Sequence, residues 1–395
     1  MRIPRPSSTR LGGAIPFLIA AAYCLCPRPA NSGENQAVLN DKNPFISSSR
    51  ALCDLFDKNT LYQGEGFIKS VRHQFRYDGQ FVDTSDDYPG GGSSAYWEHR
   101  RWRNGLVVDM AHDLTFMTIL NQDTTQHFDG DSFFESIFDM RVKWEPSEDF
   151  YVILGKQKPS VTREWSATSI ALLTAERSAL STNILSLPLW GAAAGFPAGG
   201  LRHEAGVYGV AYDDKFAWPA FDDAGISLTY RTSYALNEST ELFFEYQYVD
   251  TSVDPGFDET FGAGAYEQAL ALGSESTWGH FGLVTDLVFG LDRRNQTMDD
   301  TWGLTIIPYY NLSEKLQVVA KYTYAEDIQI DRPQRFASRP MVDGLSTLYL
   351  GLKYRICGDN LKLVGGYEFS SGDQIAGTAT PYRNDSWLFG VRTSW

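Results

Sequence analysis

The sequence predicts an all-β chain, a transmembrane antiparallel β-barrel of about sixteen strands. Three observations predict it. The N-terminus has the build of an export signal. Runs that alternate apolar and polar residues recur along the chain. The last run, Trp387, Phe389, Val391, Thr393 and Trp395, closes on an aromatic residue. Composition agrees, with Phe 24, Tyr 21, Trp 10 and Gly 35 in 395 residues at a mean hydropathy of -0.29. A helical membrane protein needs runs of about 18–20 apolar residues, and none follows residue 30. Barrel strands alternate lipid-facing and lumen-facing residues, which dilutes the average.

Residues 1–32 read as a signal peptide. Arg2, Arg5 and Arg10 make the basic region, Leu11 to Leu25 the apolar region, and Ala30-Asn31-Ser32 the small-residue cleavage site. Cys24 and Cys26 leave with it. An oxidising periplasm permits Cys53 and Cys357 to pair, but sequence does not dictate it. No spacing suggests a metal site, and no cofactor is expected. Residues 33–64 read as a periplasmic leader with a short helix around Ser49 to Asp57, and residues 65–395 as the barrel.

Pattern gives fourteen strands, at 66–82, 95–109, 113–122, 133–145, 149–157, 204–213, 224–236, 240–252, 277–291, 300–311, 315–327, 344–357, 360–370 and 385–395. Short turns orient them, at Met110 to His112, Pro146 to Glu148, Asn237 to Ser239, Asn311 to Glu314 and Gly358 to Asp359. Short turns belong to the periplasmic side and long loops to the outside. The long connections are 83–94, 158–185, 253–260, 328–343 and 371–384. Strand directions then fail to alternate twice. Two more strands restore the order, one near Leu187 to Phe196 and one over Phe261 to Leu272 with Gly273 to Ser276 as its turn. The total becomes sixteen, enough to enclose an aqueous channel.

Net charge is -15. The acids cluster in predicted loops, at Asp83, Asp86, Asp87, Asp123, Asp129, Asp131, Asp222, Asp223, Asp254, Asp258, Glu259, Asp299 and Asp300. Opposite the apolar strand faces the balance reverses. The bases expected to line the lumen are Arg72, Arg76, Arg101, Arg103, Arg141, Lys143, Lys156, Lys158, Arg231, Lys321, Lys353, Arg355 and Arg392, with Lys315 and Lys362 beside them. A Lys or Arg facing mid-bilayer lipid costs about 2–4 kcal/mol, so these belong inside. A charged ring sets ion selectivity, and guanidinium forks suit phosphate oxygens. The alternative is that each base pairs with a lumen acid and braces the wall. The acids available are Asp78, Glu135, Asp139, Glu145, Glu241, Glu245, Asp286 and Glu368.

Residues 95–210 resemble the phosphate-selective porin O and P family. Arg100-Arg101-Trp102-Arg103 followed by Gly105 is similar to that family's Arg-Arg-x-Arg strand. Ile137-Phe138-Asp139-Met140-Arg141-Val142 resembles its Asp-containing fourth strand. Leu154-Gly155-Lys156-Gln157-Lys158-Pro159 is similar to the Gly-x-x-Lys-x-Pro lead into the third loop, and Glu176-Arg177-Ser178 to the loop's end. Gln157 and Ser160-Val161 stand where that family has aromatics. The resemblance implies a trimeric porin of sixteen strands. It also implies an inward-folded third loop that would narrow the channel, presenting Arg163, Glu164, Glu176 and Arg177.

The expectation is an outer-membrane protein of a Gram-negative-type envelope. It would be a passive, anion-leaning channel for phosphate or similar small solutes, without enzymatic activity. Its partners would be membrane lipid, small anions or polar solutes, and copies of itself. Acidic loops oppose nucleic acid. Two other classes compete. One is a structural or adhesive barrel with a plugged lumen. The other is a barrel-embedded hydrolase built on a His among His73, His99, His112, His127, His203 and His280. The pattern puts His99 and His280 on lumen faces and His112 in a turn.

Overall fold

A computed structural model describes residues 52–54, 56, 58–87, 92–122, 134–184, 188–210, 225–250, 266–293, 300–329, 341–373, 375 and 380–395. The residues read as a signal peptide, most of those read as a leader, and nine of the thirteen acids expected in outer loops lie outside the described residues, while Asp83, Asp86, Asp87 and Asp300 lie within them. No described helix is long and apolar enough to cross a membrane.

A short strand, β1 (Thr60–Gln63), precedes the wall. The wall begins with β2 (Ile68–Asp86), β3 (Ser93–Met110), β4 (Leu114–Gln122), β5 (Phe134–Ser147) and β6 (Phe150–Gln157). Two helical turns follow, α1 (Arg163–Ser166) and α2 (Ala179–Ile184). Then come β7 (Leu189–Ala198), β8 (Leu201–Gly209), β9 (Ile226–Asn237), β10 (Thr240–Val249), β11 (Tyr266–Trp278) and β12 (Phe281–Arg293). The wall ends with β13 (Thr301–Asn311), β14 (Leu316–Gln329), β15 (Met341–Cys357), β16 (Leu361–Gly372) and β17 (Tyr382–Ser394). From β2 to β17 each strand pairs antiparallel with the next, and β17 pairs back onto β2. The ring is closed, so no long edge is left open. β1 continues the β17 ladder along β2, pairing with Ser70 to Arg72 below the segment Arg76–Asp86 that β17 covers.

The period-two pattern explains the wall. On β15, Leu348, Leu350 and Leu352 are 41%, 54% and 53% exposed, while Thr347, Tyr349 and Lys353 of the alternate row are buried. A water-soluble sheet would be built the other way round. Outward aromatics gather at both ends of the strands. Trp144, Trp278, Phe281 and Tyr310 lie by the short turns, and Trp97, Trp302, Phe369 and Trp387 toward the other end. An apolar band between two aromatic girdles matches a bilayer's profile.

Both strands demanded by direction are present, as β7 and β11. The second is displaced from its expected bounds. Gly273 to Ser276 lie inside β11, and the turn comes later, where Gly279 takes φ +60. Gly273 is a clearance residue: a Cβ there would stand 2.2 Å from the Phe243 ring. The connection expected over 83–94 is shorter, because β2 runs on to Asp86 and β3 starts at Ser93. Loop 328–343 shortens because β15 starts at Met341. Loop 371–384 shortens because β17 starts at Tyr382. The β3–β4 hairpin turns through His112 and Asp113, both at positive φ (62 and 60), as tight hairpins require. The described residues ahead of the wall hold more than the expected helix: Leu52 to Asp54 and Phe56 are helical, and β1 follows.

Candidate functional site

The segment between β6 and β7 turns into the barrel. Thr162 caps α1, its hydroxyl accepting from Trp165 N at 3.0 Å. Apolar packing holds one side of the loop. Val161, Trp165, Leu180 and Ile184 join Ala269, Ala271, Val288 and Ala325 of the wall. Ala175 packs with Val82, Ile307, Val319, Tyr349 and Leu388.

Charge holds the loop more specifically. Asp286 on β12, 2% exposed, accepts the main-chain N–H groups of Arg163 (3.1 Å) and Glu164 (3.0 Å). Buried Glu164 accepts from Ser178 N at 2.9 Å and from the Ser178 hydroxyl. Lys321 on β14 lies 3.6 Å from Glu164 Oε1 and donates to Glu176 O at 2.8 Å. Lys362 on β16 donates to Ile170 O at 2.6 Å. Arg392 on β17 donates to Leu172 O (3.4 Å) and to Ala175 O. Glu176 accepts from Gln80 (2.9 Å) and Arg100 (3.0 Å), with Arg101 at 4.0 Å. Burial alone would raise the Glu176 carboxyl, but the guanidiniums of Arg100, Arg101 and Arg392 outweigh it and hold it at about 2. Within the loop, Arg177 donates to Glu164 O (3.1 Å) and Ala167 O (2.7 Å), with its guanidinium 4.7 Å from the Trp165 ring centre. Arg163 reaches the wall, donating to Glu275 at 2.7 Å.

The bases expected on the lumen face therefore divide. Lys321 and Arg392 grip the loop, and so does Lys362. Lys158 does not stand free in the lumen. Its ammonium donates to the carbonyls of Trp165, Ser166 and Ala167. Lys156 pairs in register with Met140 and Trp190 and is buried, unlike Leu154, beyond Gly155 whose φ of +126 interrupts the strand's alternation.

The other inward bases mostly meet acids. Arg72 pairs with Asp109 (3.0 Å), Arg101 with Asp78 (3.1 Å), Arg141 with Asp139 (3.4 Å) and Lys143 with Glu145 (2.7 Å). Arg231 pairs with Glu245 (3.4 Å) and Arg355 with Asp359 (3.7 Å). Arg76 donates to Ser169 at 3.3 Å. Arg103 donates to Asn121 at 2.7 Å and stacks 3.5 Å over Phe138. Lys353 points inward and is 3% exposed. Among the described residues Arg76, Arg103 and Lys353 have no carboxylate within ion-pair distance. Arg141, Lys143 and Arg231 sit on β5 and β9, away from β2, β3, β12, β14, β16 and β17, which hold the loop, and Arg103 lies on β3 two residues from Arg101.

Arg100 is the residue that alternation misses. Asp78 pairs with Arg101 and Gly79 with His99, so Arg100 is the extra residue of a β-bulge. The bulge lets Arg100 and Arg101 both reach Glu176. The doubled arginine was the available signal. On an unbroken strand one of the two would face lipid at a cost of about 2–4 kcal/mol.

The same bulge overturns the expected lumen position of His99. Its Nδ1 lies 2.8 Å from the outward Tyr77 hydroxyl, beside Trp97. His280 sits in the β11–β12 turn against Tyr310. His203 faces outward, stacked between Phe196 and Tyr230. His127 lies outside the described residues.

No protein-family model matches the chain. No curated protein matches it by sequence. Solved structures match it in fold. An anion-selective porin from Comamonas acidovorans is 14% identical with a TM-score of 0.57, covering 82% of this chain and 99% of its own. OprB of Pseudomonas putida is 10% identical with a TM-score of 0.56, covering 82% and 94%. OmpF of Salmonella typhi is 12% identical with a TM-score of 0.55, covering 82% and 98%. The closed ring with its inturned segment is thus the fold of the sixteen-stranded porins.

Proposed function

We propose that this chain is a passive, water-filled channel for small solutes in the outer membrane, with a lean toward anions such as phosphate. One observation carries the reading. The inturned loop is fastened to β2, β3, β12, β14, β16 and β17, while Arg103, two residues along β3 from Arg101, donates to Asn121 and lacks a carboxylate partner among the described residues. A passing anion would meet that charge, while Arg141 and Arg231 farther round the wall are paired with carboxylates. The apolar outer face and its aromatic ends support the membrane location. Assembly into trimers is part of the same reading and rests on the family resemblance.

The test is the reversal potential of the purified protein in planar bilayers under a salt gradient, with chloride and then phosphate. The expected sign is that of an anion-preferring pore, moved toward neutrality by Arg103→Ala. A cation-preferring potential removes the anion clause. Absence of conductance removes the channel and favours the plugged structural barrel.

A further inference from the structure

The segment ahead of the barrel crosses the line on which the barrel closes. Cys53 is bonded to Cys357 at the end of β15, 304 residues away. Phe56 packs against Trp395, with ring centres 5.6 Å apart. Trp395 in turn stacks on Phe75 of β2 at 4.3 Å, and its indole donates to His73 at 3.0 Å. Asn59 O accepts from His73 N at 2.8 Å, and β1 then pairs with β2. The turn after Cys357 is tied to the last strand, because Ser394 N donates to Asn360 O at 2.9 Å. One stretch of chain, residues 53–63, therefore touches β15, the end of β17 and β2. These flank the seam where first and last wall strands meet.

We infer that residues 53–63 are a covalent clasp, which the Cys53–Cys357 bond fastens across the barrel seam only once the seam has closed. The topology requires that order. In an open sheet, β2 and β17 are the two edges. Sixteen strands at about 4.8 Å spacing put those edges roughly 70 Å apart. Cys53 travels with β2 through β1, and Cys357 lies two strands in from the β17 edge. Their α-carbons are 5.2 Å apart only because β17 is paired to β2. Forming the bond removes two protons and two electrons from the two thiols. They pass to the disulfide of an oxidising protein partner, which is left as a dithiol. Once made, the bond keeps both sides of the seam together at the turn end even when β2–β17 hydrogen bonds open.

The inference is independent of what the pore transports, and its test does not use selectivity. The refolded full chain is compared before and after reduction with a phosphine in the folded state, so no variant has to fold. Alkylation and peptide mapping at Cys53 and Cys357 report the bond. Gel mobility of the unheated barrel reports closure, and urea jumps report unfolding. The expected results are protected thiols in the oxidised barrel and unfolding at least tenfold faster after reduction. In samples quenched during refolding, closure precedes thiol loss. Equal unfolding rates would overturn the clasp. So would free alkylation of both cysteines in the unreduced barrel, or a bond that forms while the sheet is still open.

Discussion

Arg100 reaches Glu176 because β3 carries one residue more than the strand opposite it. A carboxylate buried to that degree is tolerated when charged donors surround it, and Gln80, Arg100 and Arg101 supply them. Charge-assisted bonds of this kind contribute about 1.5–3 kcal/mol each. Arg100→Ala should lower the unfolding free energy by about that amount, measured in urea. Glu176 also sets an acid limit. Its folded carboxyl is held at about 2 against an ordinary 4.5. A depressed carboxyl contributes fully above its unfolded value and loses the contribution as pH falls through the folded one. Titrating stability from pH 6 to 2 should show a loss beginning below about 4.5. Glu176→Gln should flatten that part of the curve, and an unchanged slope would remove Glu176 as its source. Alternation could not show this residue-scale site. A bulge inverts the row beyond it, and the doubled arginine marks a bulge only to a reader who prices both faces.

At the scale of elements, strands were legible and their grip on the loop was not. Direction counting recovers β7 and β11 because antiparallel neighbours must alternate. It misplaces the end of β11 because glycine serves two purposes. Gly273 clears the Phe243 ring, whereas Gly279 makes the turn. Adding a methyl at Gly273 should cost about 1–3 kcal/mol as overpacking, read as a lowered thermal midpoint. The contacts of Lys362 with Ile170 and of Arg392 with Ala175 span 192 and 217 residues, so no local pattern announces them. Lys362→Met and Arg392→Met should leave the wall closed and loosen the loop. Single-channel recordings would then show larger current fluctuations. Quiet traces at wild-type conductance would show that apolar packing alone holds the loop.

The whole molecule separates two chemistries by one strand thickness. Its outer band is apolar, as Leu350 and Leu352 show, and its inner face holds Lys321, Lys353 and Arg392. Charge in the outer band is correspondingly expensive. Leu350→Arg should destabilise the barrel in lipid vesicles by about 2–4 kcal/mol, whereas Thr347→Arg on the inner row would test packing against the loop instead. Fold class, strand number and the sidedness of most charges follow from alternation over many strands, where single errors average out. Which inner charges remain available to a solute does not follow. It depends on a loop whose partners are named only when the ring closes.

The bulge in β3 has one more consequence. Arg100 occupies no place in the ladder: Arg101 is matched to Asp78 and His99 to Gly79 with or without it. Removing that single codon would leave every flanking side chain on its present face. Away from the Arg100-Arg101 pair, a one-residue deletion in the strand would turn the remainder inside out. The position is thus a neutral gap in reading frame for the wall and an essential letter for the loop. A deletion scan along β3 should find one tolerated loss, that of one arginine from the Arg100-Arg101 pair, in a barrel that still assembles but no longer holds Glu176 as it does now.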